Sequence, residues 1–463
     1  MMRGLFAQFV VSVTLVGCSW RRVASVRVAV EDGDPDEASI WDVFGPHGPQ
    51  YTDIRQGRLG DCWLLASLAA IAHRHPHIIE RLFVKRSLWD QARPVYTMAL
   101  FLNGERTEVA VDDLVPALSN EFAFSRVGDE GHIWPALVEK GLAKAYGSYH
   151  DLNEGYPYDA FKAITQAPVS VFDTSQGDIW DLLAEAERSR WPVAANSWPN
   201  NLGAVAHHSF VILRTDEGAR GKVVQVYNPW SVNKYSGQLA DDTDAMQGTY
   251  WLTFEEFQTV FHSVYVAFVQ SHYQISSLSV ESNRSVALGF TMTGNSPFAL
   301  QVEWPETRFL PTHCSNKLIL GVVVSKADNL QDVHLSAFQG STLFSNDRVD
   351  LPGGAGEYVV YISSDILNAK WMERIVVNIY ADEEVTISVL SREPRALAAS
   401  MFGIPFACDV FYDKTDGDTF RMMPHTTNGF PSWEGSAFKH VLWRNSKMGW
   451  LLSPAANATD RYY

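Results

Sequence analysis

The chain has 463 residues, and 46% of them are apolar, which is enough for about two to four domains with packed cores. Its formal net charge of −16, without any basic stretch laced with aromatic residues, argues against nucleic acid as a partner. The four cysteines stand far apart without a CxxC pair, so they indicate neither a zinc site nor a disulfide framework and favour a reducing compartment.

Residues 1–37 have two competing interpretations. A modest apolar run from Leu5 ends in Leu15-Val16-Gly17-Cys18, a pattern typical of a bacterial lipoprotein cleavage site. On that interpretation Met1–Gly17 is a signal segment, the protein is exported or lipid-anchored, and Cys18 carries the lipid. The run is too short to span a membrane, and a β-like stretch at 23–28 follows where a flexible linker would be expected. We therefore expect an uncleaved N-terminal extension on a cytoplasmic protein.

The next segment is a glycine-rich approach to a single cysteine. Gln56-Gly57-Arg58-Leu59-Gly60-Asp61 leads into Cys62, and the residues from there to Ala72 are apolar almost all round. This pattern predicts a buried helix with the thiol in its first turn, where the helix N-terminus favours the nucleophilic thiolate. Gln56 is placed to direct its amide N–H at an oxyanion. A cysteine ahead of leucines is also a common core residue, so the assignment depends on the rest of the chain.

A base and an orienting group for such a thiol are predicted on two neighbouring strands. Residues 205–213 and 223–228 have the composition of strands, and the segment between them is turn-like. A hairpin centred on Gly218 places His208 opposite Asn228 on one face, although a bulge would change this register. Together with Cys62, these residues favour a Cys–His–Asn nucleophilic site.

Beyond about residue 270 the sequence becomes a series of short β-type runs separated by turn residues. This spacing predicts an antiparallel β-sandwich over 270–392. Residues 393–463 are rich in aromatics and turn residues and are predicted to form a small β module. Neither region contains an EF-hand loop of the D-x-[DN]-x-[DN]-G form. We expect contacts with proteins or membranes to involve these β domains.

Five sequence blocks, in order over about residues 38–268, resemble the calpain family of papain-like cysteine proteases. They are Asp53 to Ala70, Gly131 to Lys140, His208-Ser209-Phe210, Asn228-Pro229-Trp230 and Gly248 to Phe257. The resemblance implies an α+β fold in which a two-lobed papain-like core precedes the antiparallel β-sandwich. Its helical lobe covers about 38–160 and its β-rich lobe about 161–268. The resemblance also implies that Cys62 is the nucleophile, His208 the base, Asn228 its orienter and Gln56 the oxyanion donor.

Three positions depart from the family pattern. Calpains usually have glycine where this chain has His207 and Ser231, and a Gly-Gly pair that normally lines the substrate cleft is Glu154-Gly155 here. None of these changes removes a chemical group that the mechanism needs. We therefore expect an active protease whose subsite preference differs from that of its relatives.

The resemblance further implies calcium, because calpain cores typically bind two calcium ions. The ligands carried over for the first site are Asp53, Glu139 and the backbone carbonyl of Gly48, and oxygen ligands suit calcium. The alternative is that the two carboxylates are an ordinary turn residue and a helix-surface charge. The second site has lost its acidic residues, since its positions hold Lys234, Gln247 and Thr249 and only Asp241 remains. We expect one calcium ion and no organic cofactor.

The sequence as a whole predicts an intracellular calpain-like cysteine endopeptidase that is stimulated by calcium and cleaves protein substrates. The competing hypothesis is a catalytically weak or inactive scaffold that binds proteins or membranes through its β domains. A transglutaminase is a weaker rival, because that family usually has aspartate where Asn228 stands.

Overall fold

The computed structural model describes sixteen segments of the chain. They are residues 19–22, 43–88, 94–118, 121–126, 131–175, 179–198, 202–240, 248–281, 285–303, 321–336, 349–363, 374–390, 420–427, 430–435, 440–445 and 449–454. The chain divides into two compact units, Met1–Gln270 and Ser271–Tyr463. Most of the predicted N-terminal extension, with Cys18, lies outside the described residues, as do Cys314 and Cys408. No helix within the segments given is long and apolar enough to cross a membrane.

The first unit combines helices and antiparallel strands. Its described helices are α1 Cys62–Arg74, α2 Pro76–Leu82, α3 Trp134–Tyr146, α4 Pro157–Thr165, α5 Ile179–Ser189 and α6 Phe254–Val260, with 3₁₀ turns at Tyr51–Asp53 and Tyr149–Leu152. Its described strands are β1 Ser19–Arg22, β2 Phe83–Leu88, β3 Pro94–Leu102, β4 Glu105–Asp112, β5 Leu114–Leu118, β6 Glu121–Phe122, β7 Val169–Asp173, β8 Val193–Ser197, β9 Ser209–Gly218, β10 Gly221–Tyr227, β11 Thr249–Thr253 and β12 Phe261–Ala267.

The central helix α1 is buried on nearly every side, as its unbroken apolar sequence requires. Trp63 is 1% exposed, and its indole N–H donates to the Leu152 carbonyl at 2.9 Å, so the buried polar group is satisfied. The helix ends at Arg74 because the next residue but one is Pro76, which begins α2. Burial of α1 fixes the position of Cys62 at its first turn.

A six-stranded antiparallel sheet, in the order β11-β10-β9-β8-β12-β7, forms the other half of this unit. Its strands share one apolar core with α5 and α6, built around large side chains such as Phe210, Phe257 and Phe261. α6 begins with a capping box, in which the Thr253 side chain accepts the Glu256 main-chain N–H and the Glu256 carboxylate accepts the Thr253 main-chain N–H. Antiparallel pairing in this sheet brings the start of β9 next to the end of β10.

The predicted register of the β9–β10 hairpin is wrong. Gly218 pairs with Gly221 across a two-residue turn, and a bulge lies between Gln225 and Val226, so Tyr227 pairs with Val211. Beyond the bulge the pairing is displaced by two residues from the predicted one. Because an even displacement keeps side chains on the same face, His208 and Asn228 still point to one side of the sheet.

Two smaller sheets complete the first unit. β2, β3 and β4 form one antiparallel sheet, and β1, β5 and β6 form the other. The β3–β4 hairpin turns at Asn103-Gly104, where both residues have positive φ angles of 53° and 78°. Asn-Gly suits this two-residue turn because asparagine and glycine tolerate the left-handed region best.

The second unit is formed by antiparallel strands in its described parts. They are β13 Gln274–Val280, β14 Ser285–Met292, β15 Phe298–Glu303, β16 Gly321–Lys326, β17 Asn329–Ser336, β18 Val349–Leu351, β19 Gly356–Ser363, β20 Ile375–Ala381, β21 Ser388–Val389, β22 Phe420–Thr427, β23 Phe430–Gly435, β24 His440–Asn445 and β25 Gly449–Pro454. Sheets β13-β20-β15-β18 and β17-β16-β19-β14-β21 contribute to one apolar core. Val322 and Val324 enter that core and Val323 does not, which is the period-two pattern of a strand. The strands β22–β25 form a separate sheet.

The mixture of helices with antiparallel sheets, followed by a β-rich region, agrees with the predicted class. The two-lobed arrangement of the first unit stays a prediction.

Candidate functional site

Cys62 is the first residue of α1 and is partly buried. The backbone and hydroxyl of Ser209, the first residue of β9, are hydrogen-bond partners for its sulfur. Burial raises the pKa of the Cys62 thiol above its ordinary value, and the Asp61 carboxyl adds to that effect, although the Ser209 contacts oppose it. The resting thiol is therefore protonated at neutral pH.

His208 immediately precedes β9 and is 3% exposed. Its ring Nε2 is 2.8 Å from the Asn228 side-chain oxygen, and the Asn228 amide nitrogen donates to the Val232 carbonyl at 2.9 Å. We assign the imidazole proton to Nε2, since it faces an acceptor, and this leaves Nδ1 free to accept a proton. Burial lowers the pKa of His208 to about 4, with the Asn228 hydrogen bond opposing it.

The ring of His208 is flanked by two aromatic side chains. Its centroid is 4.7 Å from that of Trp230 and 5.0 Å from that of Phe210. Among the hydrogen bonds of the described residues, none joins this ring to Cys62. The structure therefore brings His208 and Asn228 into direct contact and places the thiol against the neighbouring residue, Ser209.

Gln56 lies on the loop before α1 and is held beside the Asn228 segment. Its main-chain N–H donates to the Pro229 carbonyl at 2.9 Å. Its side-chain nitrogen donates to the Leu59 carbonyl at 2.7 Å. A side-chain amide has two hydrogens, so one remains for another acceptor. Tyr227 reinforces this connection, because its hydroxyl donates to the Ile54 carbonyl at 2.7 Å.

Asp53 is bound by hydrogen-bond donors on both carboxylate oxygens. His132 Nδ1 is 2.7 Å from one oxygen, and the other accepts from the Trp134 indole N–H at 2.7 Å and from the Gln50 main-chain N–H at 2.8 Å. Asp53 is 4% exposed and His132 3% exposed. The predicted loop carbonyl of Gly48 is 3.5 Å from the Gln50 side-chain nitrogen.

Glu139 has different partners from Asp53. Its carboxyl lies against that of Asp61 in the interior, and one of its oxygens accepts the Ser125 main-chain N–H at 2.9 Å. Burial raises the pKa of Asp61 to about 7, and burial with the neighbouring carboxyl raises that of Glu139 well above its ordinary value.

The predicted calcium ligands are therefore divided between two hydrogen-bonded groups. In the described part of the chain, no group of three or more His, Cys, Asp or Glu side chains is placed to hold a metal ion. Calcium binding by Asp53, Glu139 and the Gly48 carbonyl stays a prediction. Lys234 and Thr249 are described, but Asp241 and Gln247 lie outside the described residues, so the loss of the second site stays a prediction.

The three departures from the family's glycine pattern share a backbone feature. His207, Ser231 and Glu154 have φ angles of 49°, 54° and 61°, in the left-handed region that favours glycine. A residue with a Cβ pays roughly 1 kcal/mol or more for this conformation. The Glu154 main-chain N–H donates to the Gly60 carbonyl at 3.0 Å, which ties that loop to the approach to Cys62. All three positions therefore place a Cβ on a left-handed backbone.

Two features of the site were missed in the sequence. Ser209 was identified only as part of a histidine motif, and nothing in its local pattern indicated a contact with the thiol. The Asp61–Glu139 pair joins residues that are far apart in the chain, so only the packing of α1 and α3 reveals it. A carboxylate directly before a helix that is otherwise apolar was the available signal for Asp61.

Comparisons with known proteins find similarity over the first unit of the chain. A family profile described as calpain family cysteine protease matches residues 14–268. The chain is 27% identical over 247 residues to the calpain-type cysteine protease DEK1 of Zea mays, covering 46% of this chain and 11% of that protein. It is 26% identical over 261 residues to calpain-13 of Rattus norvegicus, covering 48% of this chain and 39% of that protein. It therefore spans well under half of the length of these relatives.

Proposed function

Because this chain belongs to the calpain family of cysteine proteases, we propose that it is an endopeptidase acting on protein substrates through Cys62, His208 and Asn228. The observation that carries the proposal is the hydrogen bond of 2.8 Å between His208 and Asn228, next to the start of β9, where Ser209 contacts the Cys62 thiol. An imidazole oriented in this way, beside a thiol at a helix N-terminus, has the chemistry of a nucleophile and its base.

In the proposed reaction, the Cys62 thiol turns from Ser209 towards His208 and gives its proton to Nδ1. The thiolate attacks the carbonyl carbon of the peptide bond, and the oxygen that becomes negative accepts the Cys62 main-chain N–H and the free amide hydrogen of Gln56. His208 then protonates the leaving amine as the C–N bond breaks, which leaves a thioester. Water hydrolyses the thioester and restores the thiol.

Calcium stimulation remains a prediction of the family resemblance. The donors on Asp53 and the Asp61 contact of Glu139 count against it, and no step of the proposed reaction requires an ion.

A peptidyl epoxide probe tests the proposed function. We expect one label per chain, on Cys62, and its loss in Cys62→Ala, because a thiol that loses its proton to His208 when a peptide binds reacts with such a weak electrophile, and the other thiols do not. Casein hydrolysis should be lost in the same variant. Cys314→Ala is the matched control and should keep both labelling and hydrolysis. Labelling at Cys62 without hydrolysis of any protein would favour the scaffold hypothesis instead.

The resting site should also show an unusual pH dependence. Burial raises the pKa of Cys62 and lowers that of His208 to about 4, so both groups are neutral between those two values. The rate of Cys62 alkylation by iodoacetamide should therefore stay low near neutral pH and rise towards a midpoint above the ordinary thiol value of about 8.5. Mass spectrometry of the tryptic peptide measures this rate residue by residue. An alkylation rate that is already high and constant from acidic to neutral pH would instead reveal a preformed thiolate–imidazolium pair.

A further inference from the structure

An exposed tryptophan ring packs against a half-buried histidine ring near the proposed base. Trp198 is 50% exposed, and its ring centroid is 4.8 Å from that of His262. We call these two side chains the aromatic shelf. His262 is close enough to His207 for the two imidazoles to influence each other electrostatically. Ser197, the residue before Trp198, also donates its main-chain N–H to the His208 carbonyl, so the shelf adjoins the His207-His208 segment. Trp230, which is 43% exposed, packs against the His208 ring.

The backbone around the shelf is held by hydrogen bonds, although the Trp198 ring is accessible. Trp198 directly follows β8, and its main-chain N–H donates to the Val260 carbonyl at 2.8 Å. The preceding residue, Ser197, donates its main-chain N–H to the His208 carbonyl at 3.0 Å. His262 lies in β12, which pairs with β8. A half-exposed tryptophan on a fixed backbone is a preformed contact surface, because little freedom is lost when a ligand covers it.

We propose that the aromatic shelf binds an aromatic side chain of the substrate on the C-terminal side of the scissile bond. The inference rests on the proposed function. His208 must deliver a proton to the leaving amine, so its ring faces the residues that follow the scissile bond. A surface that adjoins His208 and remains exposed is therefore available to that part of the substrate.

The chemistry of the shelf favours an aromatic side chain over a charged one. Burial lowers the pKa of His262, with the Asp173 carboxylate opposing and His207 adding to this effect. A neutral imidazole beside an indole offers ring faces and edges rather than a net charge. The Asp173 carboxylate itself already accepts the main-chain N–H and hydroxyl of Ser175, at 2.8 and 2.7 Å.

The test compares two peptides that differ only in the residue after the scissile bond, phenylalanine or alanine. In the full-length protein, Trp198→Ala should lower kcat/KM about tenfold for the phenylalanine peptide and leave the alanine peptide unchanged. Labelling of Cys62 by a peptidyl diazomethyl ketone, which has no residue beyond the reactive carbon, should also be unchanged. Val389→Ala, an exposed apolar position in the second unit, is the control.

A binding experiment separates this inference from the proposed function. Cys62→Ala protein should bind the phenylalanine peptide more tightly than the alanine peptide, and the difference should disappear when Trp198→Ala is added. If Trp198→Ala weakens the binding of both peptides equally, or of neither, the proposal for the aromatic shelf is wrong. Failure of the wild-type protein to hydrolyse any peptide would overturn the proposed function, while the binding difference would still decide the shelf.

Discussion

His208→Ala is expected to lower kcat/KM for peptide hydrolysis by about a thousandfold or more, whereas His207→Gly keeps most of the activity. The reason is that His208 is the proposed base, and its Nε2 lies 2.8 Å from the Asn228 side-chain oxygen, which holds the ring in one orientation. His207 is exposed and lies one residue away. Initial rates with one fluorogenic peptide, at several substrate concentrations, measure both variants.

His207→Gly supplies its own control, because it should also stabilise the protein. The residue adopts a φ angle of 49°, and glycine removes the strain of its Cβ there. We expect a gain of roughly 0.5–1 kcal/mol in the free energy of unfolding. The gain is smaller than the strain removed, because glycine also increases the conformational entropy of the unfolded chain. If His207→Gly is inactive and His208→Ala is active, the two histidines exchange roles.

Asp53→Ala is expected to lower the free energy of unfolding by about 3–5 kcal/mol even with a chelator present. The substitution removes the acceptor from three donors at once, those of His132, Trp134 and the Gln50 main chain. His132 and Trp134 are buried, so water cannot replace the lost acceptor without opening the interior. Denaturant unfolding in EDTA, followed by tryptophan fluorescence, measures the loss.

The same experiment separates a structural carboxylate from a calcium ligand. Asp216→Ala changes a carboxylate in the β9–β10 hairpin whose side chain is 53% exposed, and it should have little effect. If Asp53 serves chiefly to bind calcium, Asp53→Ala in EDTA should be as stable as the wild type, and added calcium should stabilise only the wild type. Calorimetric titration of Cys62→Ala protein with calcium provides the direct measurement.

The sequence was most informative where one segment determines its own structure. The apolar run after Cys62 predicted a buried helix from there to Ala72, and α1 covers Cys62–Arg74. The pattern succeeds because a helix that is apolar on all sides has only the interior in which to fold. The hairpin register was less predictable, because the bulge between Gln225 and Val226 depends on pairing with both neighbouring strands and has no local signature.

The contacts of the site depend on packing between distant segments. The family resemblance suggested Asp53 as an oxygen ligand, but its hydrogen-bond partners come from a distant segment. Trp134 begins α3, and His132 lies two residues before it. Likewise, Glu139 meets Asp61 only because α1 and α3 lie together in the interior. The residue types indicated which side chains could bind a ligand. The tertiary structure determined which of those side chains already have hydrogen-bond partners in the protein.

The loop that carries Gln56 is joined to the end of β10 by two hydrogen bonds, from the Gln56 N–H to Pro229 and from the Tyr227 hydroxyl to Ile54. These bonds connect residues about 170 positions apart, so neither end of the site acquires its geometry independently. The proposed oxyanion donor, Gln56, and the proposed orienting residue, Asn228, therefore belong to one hydrogen-bonded assembly. If either the helical segment or the sheet is misfolded, we expect no active site to form. The protein should therefore have little hydrolytic activity before folding is complete.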